Sequence, residues 1–178
     1  MTVQSHSLLR YAWKSLSRGM IRRAIVPLVR WDPAPAPSDG ITVIVGCSHR
    51  LESLIPANLA LLARQRAPAL REVLLVIDAA ANEMSAGFQA RVRRAAGALH
   101  VRCLHYDERQ TRISRRIDWG WVYAWLSWCI GIGACRTRHA MLHDFDALLL
   151  DPGVIEERVH LIRDHQAEYL GMGFYEGL

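Results

Sequence analysis

Ile41-Thr42-Val43-Ile44-Val45-Gly46-Cys47-Ser48-His49 is a run of β-branched residues that breaks at a glycine and ends in a polar turn. A short apolar run of this kind reads as a strand buried on both faces. Downstream, Leu51, Leu54, Ile55, Leu59 and Leu62 recur at helical spacing. Glu72-Val73-Leu74-Leu75-Val76-Ile77-Asp78 repeats the strand pattern. A helix over residues 85–98, a strand over 101–106 and a long helix over 117–135 follow. Then come the strand Ala140-Met141-Leu142-His143, a helix over 154–166 and the start of a further strand over 168–175. Alternation of this kind predicts an α/β fold, a mostly parallel sheet flanked by helices in a Rossmann-like nucleotide-binding half. Ligands in such sheets bind at the carboxyl ends of the strands. Gly46-Cys47-Ser48-His49, Asp78 and Asp144-Phe145-Asp146 all fall at such ends.

The 178 residues suffice for one ordinary core, and 51% of them are hydrophobic, a globular composition. Charge is unevenly distributed. Residues 1–31 hold Arg10, Lys14, Arg18, Arg22, Arg23 and Arg30 and none of the chain's 17 acidic residues. The remaining 16 basic groups are balanced by those acids, so the main domain lacks the basic face of a nucleic-acid binder. Residues 7–26 have helical rhythm. Arg10, Lys14, Arg18 and Arg22 form one stripe, and Leu9, Trp13, Leu16, Met20, Ala24 and Leu28 lie largely on another side. This basic amphipathic arm (1–31) either packs on the domain or lies on an anionic membrane surface. It is expected to be removable without unfolding the remainder. Asp32-Pro33-Ala34-Pro35-Ala36-Pro37-Ser38-Asp39-Gly40 reads as an extended linker (32–40) leading into the main domain, 41–178.

The uncharged stretch from Trp119 to Cys135 is at the short limit for a bilayer span, and Gly120, Gly131 and Gly133 favour a buried core helix. Within it, Trp121, Trp125 and Trp128 read as a stripe packed on the sheet rather than as a sugar platform. Cys47, Cys103, Cys129 and Cys135 form no C-x-x-C pair, and arginines break the N-terminal apolar stretches. Both point to reduced thiols in a cytoplasmic protein, with the inner face of the membrane as an additional location.

Asp144 and Asp146 are two residues apart at the end of an apolar strand. That spacing directs both carboxylates to one face of a strand, with Phe145 turned into the core. Oxygen ligands suit Mg²⁺ or Mn²⁺, cations that usually share their coordination with substrate phosphates. The bland alternative is a pair of turn residues or a helix N-cap. His139 and His143 would be nitrogen ligands, which suit such a cation less well.

These pieces, in order, resemble the glycosyltransferases of the GT-A fold, of the broad family-2 type. The matching stretches are residues 41–52 with 59–65, then 72–78, then 119–152, and the resemblance spans about 41–175. It implies a nucleotide-sugar donor, an acceptor that the motifs do not identify, and assistance by Mn²⁺ or Mg²⁺. By position, Asp78 would recognise the donor base, and Gly46, Cys47, Ser48 and His49 would lie along base and ribose. Asp144 and Asp146 would hold the ribose and the metal-bound diphosphate. Arg115, Arg116 and Asp118 stand where the family often has an Ala-Arg-Asn triplet. The chain departs from the pattern at Gly46 and His49, usually proline and asparagine, and at Asp78-Ala79-Ala80-Ala81-Asn82, usually Asp-Asp-Gly-Ser. In the family the acceptor half and general base lie further on, so this sequence is expected to be a C-terminally truncated member with a donor half-site. The alternatives are a non-catalytic nucleotide-binding or scaffold remnant and a haloacid-dehalogenase-like phosphatase. The last would want Thr or Val where Ala147-Leu148 stand.

Overall fold

The structure, a computed structural model, describes residues 8–32 and 36–166. The further strand expected over 168–175 lies outside them. Helix α1 (Leu8–Ile25) leads into a 3-10 turn, then β1 (Ser38–Cys47), α2 (Leu54–Leu62), β2 (Leu70–Ile77), α3 (Phe88–Ala96) and β3 (Val101–His105). After these come α4 (Glu108–Ile117), α5 (Gly120–Ala134), β4 (Thr137–Asp144) and α6 (Val154–Asp164). The four strands form one sheet in the order β3-β2-β1-β4, with every pairing parallel. The expected α/β architecture is therefore present, with helices on both faces.

Alternation along β1 and β2 builds the two layers of core. Val43, Val45, Val73, Leu75 and Ile77 face α2, α3 and α6, where Ile55, Leu59, Phe88, Val92 and Ile155 meet them. Ile44, Leu74 and Val76 face the other way, onto Val122, Leu126 and Cys129 of α5. Both faces of the central strands are buried, so the strands read as continuous apolar runs. α5 is thus a core helix, and no helix among the described residues is long and apolar enough to cross a membrane.

Several boundaries differ from the sequence expectation. β1 begins at Ser38, inside the stretch read as a linker, because the Ser38 N–H donates to the Arg136 carbonyl (2.9 Å) and the Ile41 N–H to the Ala69 carbonyl (2.8 Å). The helix expected over 117–135 is α5, Gly120–Ala134, and the sequence reading missed α4 before it. Asp107 caps α4: its carboxylate accepts from the Gln110 N–H (2.7 Å), and the Gln110 side chain accepts from the Asp107 N–H (2.9 Å). Asp118 then adopts φ +46°, a left-handed conformation that ends α4 before α5 starts.

The arm is not separable. Ile25, Leu28 and Val29 are buried in the α5-side core, and the Gln110 amide donates to the Leu28 carbonyl (2.8 Å). This overturns the expectation that residues 1–31 can be removed without consequence for the rest. The helix also presents a face the sequence did not anticipate. Ile21 and Ile25 pack inward, while Trp13, Leu16 and Met20, the side expected either to pack on the domain or to lie on a membrane surface, are exposed. The side chains of Leu9, Arg10 and Lys14 lie outside the described set.

α5 lies very close to the sheet. A Cβ added at Gly131 would overlap the Ile44 side chain, and one at Gly133 would meet the Arg30 carbonyl oxygen. Gly131→Ala is expected to lower stability by ~1–3 kcal/mol through overpacking. Gly19→Ala in α1, with open space around it, is expected to be neutral or stabilising by up to ~1 kcal/mol. Urea denaturation of the two variants side by side checks the contrast.

Candidate functional site

The strand order carries a reversal. The chain builds β1, β2 and β3 outward in one direction, then returns to lay β4 on the opposite side of β1. The connections leaving β1 and β4 diverge there, and a crevice opens beyond their carboxyl ends. A cavity of about 440 Å³ occupies this position. Its walls include the turn from Gly46 to Arg50, Asp78 just past β2, Asp144 and Phe145 at the end of β4, and the start of α5 with Asp118, Tyr123 and Ser127.

Register accounts for the convergence. Gly46 pairs with Asp144 across β1 and β4, and Cys47 pairs with Ile77 across β1 and β2, one residue before Asp78. The lack of a side chain at Gly46 lets α5 approach: a Cβ there would sit 3.2 Å from Cβ of Ser127 and 3.6 Å from Nε1 of Trp128.

Asp78 is buried, with 5% of its surface exposed, and one of its oxygens is already engaged. Oδ1 accepts from the His49 backbone N–H (2.7 Å) and contacts His49 Nδ1 at 2.7 Å. The carboxylate therefore favours a proton on Nδ1 and leaves Nε2 of the neutral ring as an acceptor. Nε2 has no hydrogen-bond partner among the described residues. Cys47 lines the same cavity, but burial above all, and then the neighbouring Cys103 and Asp78, push its thiol far above the usual range. It is not a thiolate nucleophile or metal ligand.

The acidic pair is split. β4 ends at Asp144, and residues 145–146 form a turn closed by the Ala147 N–H donating to the Asp144 carbonyl (3.1 Å). The strand argument for a shared face therefore stops at Asp144. Asp144 is on the cavity wall, whereas Asp146 is exposed in the turn beyond it. Phe145 packs partly against the core, as expected of a residue between them. Arg115 is not on the wall either; its guanidinium pairs with Glu83 in the loop after β2. Among the described residues no three His, Cys, Asp or Glu side chains come together as a metal-holding group. His143 is buried with Nε2 against the Asn58 amide (3.2 Å), and desolvation lowers its pKa despite Asp144 and Asp146 nearby.

Asn58 on α2 and Gln65 just after it hold the segment that follows β4. The Asn58 amide donates to the carbonyls of Phe145 (2.9 Å) and Ala147 (3.1 Å). The Gln65 amide donates to the carbonyl of Asp151 (2.8 Å), and its Oε1 accepts from the Ile155 N–H at the start of α6 (3.3 Å). Asn58 was missed by sequence reasoning. Its signal was a polar residue on the apolar face defined by Ile55, Leu59 and Leu62, a position a helix rarely gives to an amide without a partner for it.

Comparison with protein-family models, with curated proteins and with solved structures finds no match.

The Asn58 contacts predict that Asn58→Ala strands two carbonyls and costs about 2 kcal/mol or more. Asn58→Asp keeps the shape but loses both donors, so it should be at least as damaging at neutral pH. Urea denaturation gives the energies. Faster hydrogen exchange at the Ala147 amide would locate the effect in the turn.

Proposed function

We propose that the chain acts as a glycosyltransferase, and that the cavity takes the nucleoside-diphosphate end of a nucleotide-activated sugar. The observation that carries this reading is the convergence of Asp78 and Asp144 on one cavity at the reversal of strand order, the usual ligand position in such sheets. The two acids enter from different sides of β1, as two ends of an extended ligand require.

In this reading each residue has a distinct task. Asp78 fixes His49, and the pair presents Nε2 as an acceptor for an N–H on the edge of the base. Gly46, Cys47 and Ser48 offer backbone to base and ribose, with no Cβ at Gly46 to hold the ligand away. Asp144 faces the ribose and diphosphate. On the cavity wall only the Asp144 carboxylate offers the oxygen ligand that Mg²⁺ or Mn²⁺ prefers, with substrate phosphates as the other ligands. Asp144 would hold the ion, with Asp146 in the turn beyond it as a second carboxylate; when bound, the ion supplies Lewis-acid stabilisation of the charge developing on the departing diphosphate. Four free cysteines and the basic arm fit a cytoplasmic enzyme working at the inner face of a membrane.

Isothermal titration with UDP and GDP, with and without Mn²⁺, tests the site. Binding is expected only with the cation. Asp144→Asn and Asp146→Asn should each weaken it at least tenfold, or about 1.4 kcal/mol. His49→Ala should weaken binding while leaving its dependence on Mn²⁺ intact. Absence of binding under every condition would overturn the reading, and binding without release of sugar from any sugar nucleotide would reduce it to a nucleotide-binding module.

A further inference from the structure

We propose that α1 docks the protein on the surface of an anionic lipid bilayer, with Trp13, Leu16 and Met20 at the boundary between headgroups and acyl chains. The three residues follow i, i+3, i+7 spacing and share one helix face. They are 71%, 59% and 64% exposed. This face is additional to the one the core uses, because Ile21 and Ile25 turn inward onto the α5 layer. A helix with one apolar face needs the domain alone; α1 has a second, and nothing among the described residues covers it.

Charge selects the occupant. Arg23 stands three residues after Met20 and seven after Leu16, so it closes the same stripe and is exposed. Arg22 beside it is also exposed, and residues 1–31 carry six cations and no acid. A partner for this face must accept both apolar insertion and unrelieved positive charge. An anionic bilayer offers both, and a tryptophan with flanking arginines suits its interface. The contact is peripheral, since no described helix can span a bilayer.

The arm is also held in a fixed orientation. The Arg18 guanidinium lies over the Trp121 ring, 5.9 Å from its centroid, next to Gly120 on the cavity wall. The contact at Arg18 ties the second half of α1 to the start of α5.

The experiment is co-sedimentation of the full chain with phosphatidylcholine vesicles, with and without phosphatidylglycerol, at low and high salt. The wild type is expected to partition at least ~tenfold more strongly onto the anionic vesicles and to be released by salt. Trp13→Ser with Leu16→Ser and Met20→Ser should lose most of that binding. Arg22→Gln with Arg23→Gln should weaken it severalfold and flatten the salt dependence. Circular dichroism melts should be unchanged in both, because all five side chains are exposed. Nucleotide binding should also be unchanged, which separates this inference from the reading of the cavity. Equal pelleting of the wild type and both variants would overturn the proposal. So would a wild-type dimer that ignores vesicles and becomes monomeric when the stripe is substituted, since a second copy would then be the cover.

Discussion

The close approach of α5 to β1 is the constraint on which the rest of the structure depends. Once the chain has built β1, β2 and β3 outward, the only way to reach the vacant side of β1 is to carry a helix back across the sheet. That helix must cross the middle of the sheet, against Ile44, Leu74 and Val76. Gly131 and Gly133 let it sit against Ile44 and the Arg30 carbonyl, and Gly46 lets its start close on the end of β1. A side chain at any of these positions would lift the helix and open the crevice that Asp118, Tyr123 and Ser127 help to wall. The cavity is therefore a consequence of packing as much as of its polar residues.

That origin explains what was legible in the sequence. Buried strands announce themselves because both faces must be apolar, so the cores of β1 and β2 and the α/β order could be read directly. The carboxyl-end residues Gly46-Cys47-Ser48-His49, Asp78 and Asp144 followed from the strands that carry them. Features set by hydrogen bonds between distant residues were not legible. Ser38 joins β1 through a carbonyl at Arg136, and nothing local signals that partner. The Asp107 cap and the left-handed Asp118 bound a helix, α4, that the sequence reading missed, because α4 is so polar that hydrophobic period alone passes over it. Asp146 leaves the strand face because the chain turns at Phe145, and that turn is held by Asn58, 87 residues away in sequence from Phe145.

The electrostatics of the cavity narrow its ligands. Asp78, Asp118 and Asp144 share its walls with Arg50 as the only fixed cation on the described lining. Like charges a few ångströms apart near a protein surface repel by several kcal/mol. A bare diphosphate would meet that repulsion, whereas a diphosphate that arrives with a divalent cation would not. The proposed ligand therefore fits these walls better with a bound cation than without one. His49 Nε2 is the ring nitrogen left for a ligand beside these acids, and Asp78 spends one oxygen fixing the ring rather than meeting a ligand directly.

The arm has two apolar faces that the structure keeps apart, one buried and one exposed. Ile25, Leu28 and Val29 complete the α5-side core, and the Gln110 amide fixes the Leu28 carbonyl to α4. Deleting the arm would uncover Val122, Leu126 and Cys129, so loss of any surface interaction in such a truncation would be confounded with loss of the core. Trp13, Leu16, Met20 and Arg23 stand outside that contact. Substituting them leaves every buried neighbour of Ile25 in place, because a helix packed through one face can be altered on another without moving the residues beneath it. The buried and the exposed face of this helix are therefore separable only by point changes, and the face on which each residue lies decides whether a change reports on the core or on the proposed surface contact.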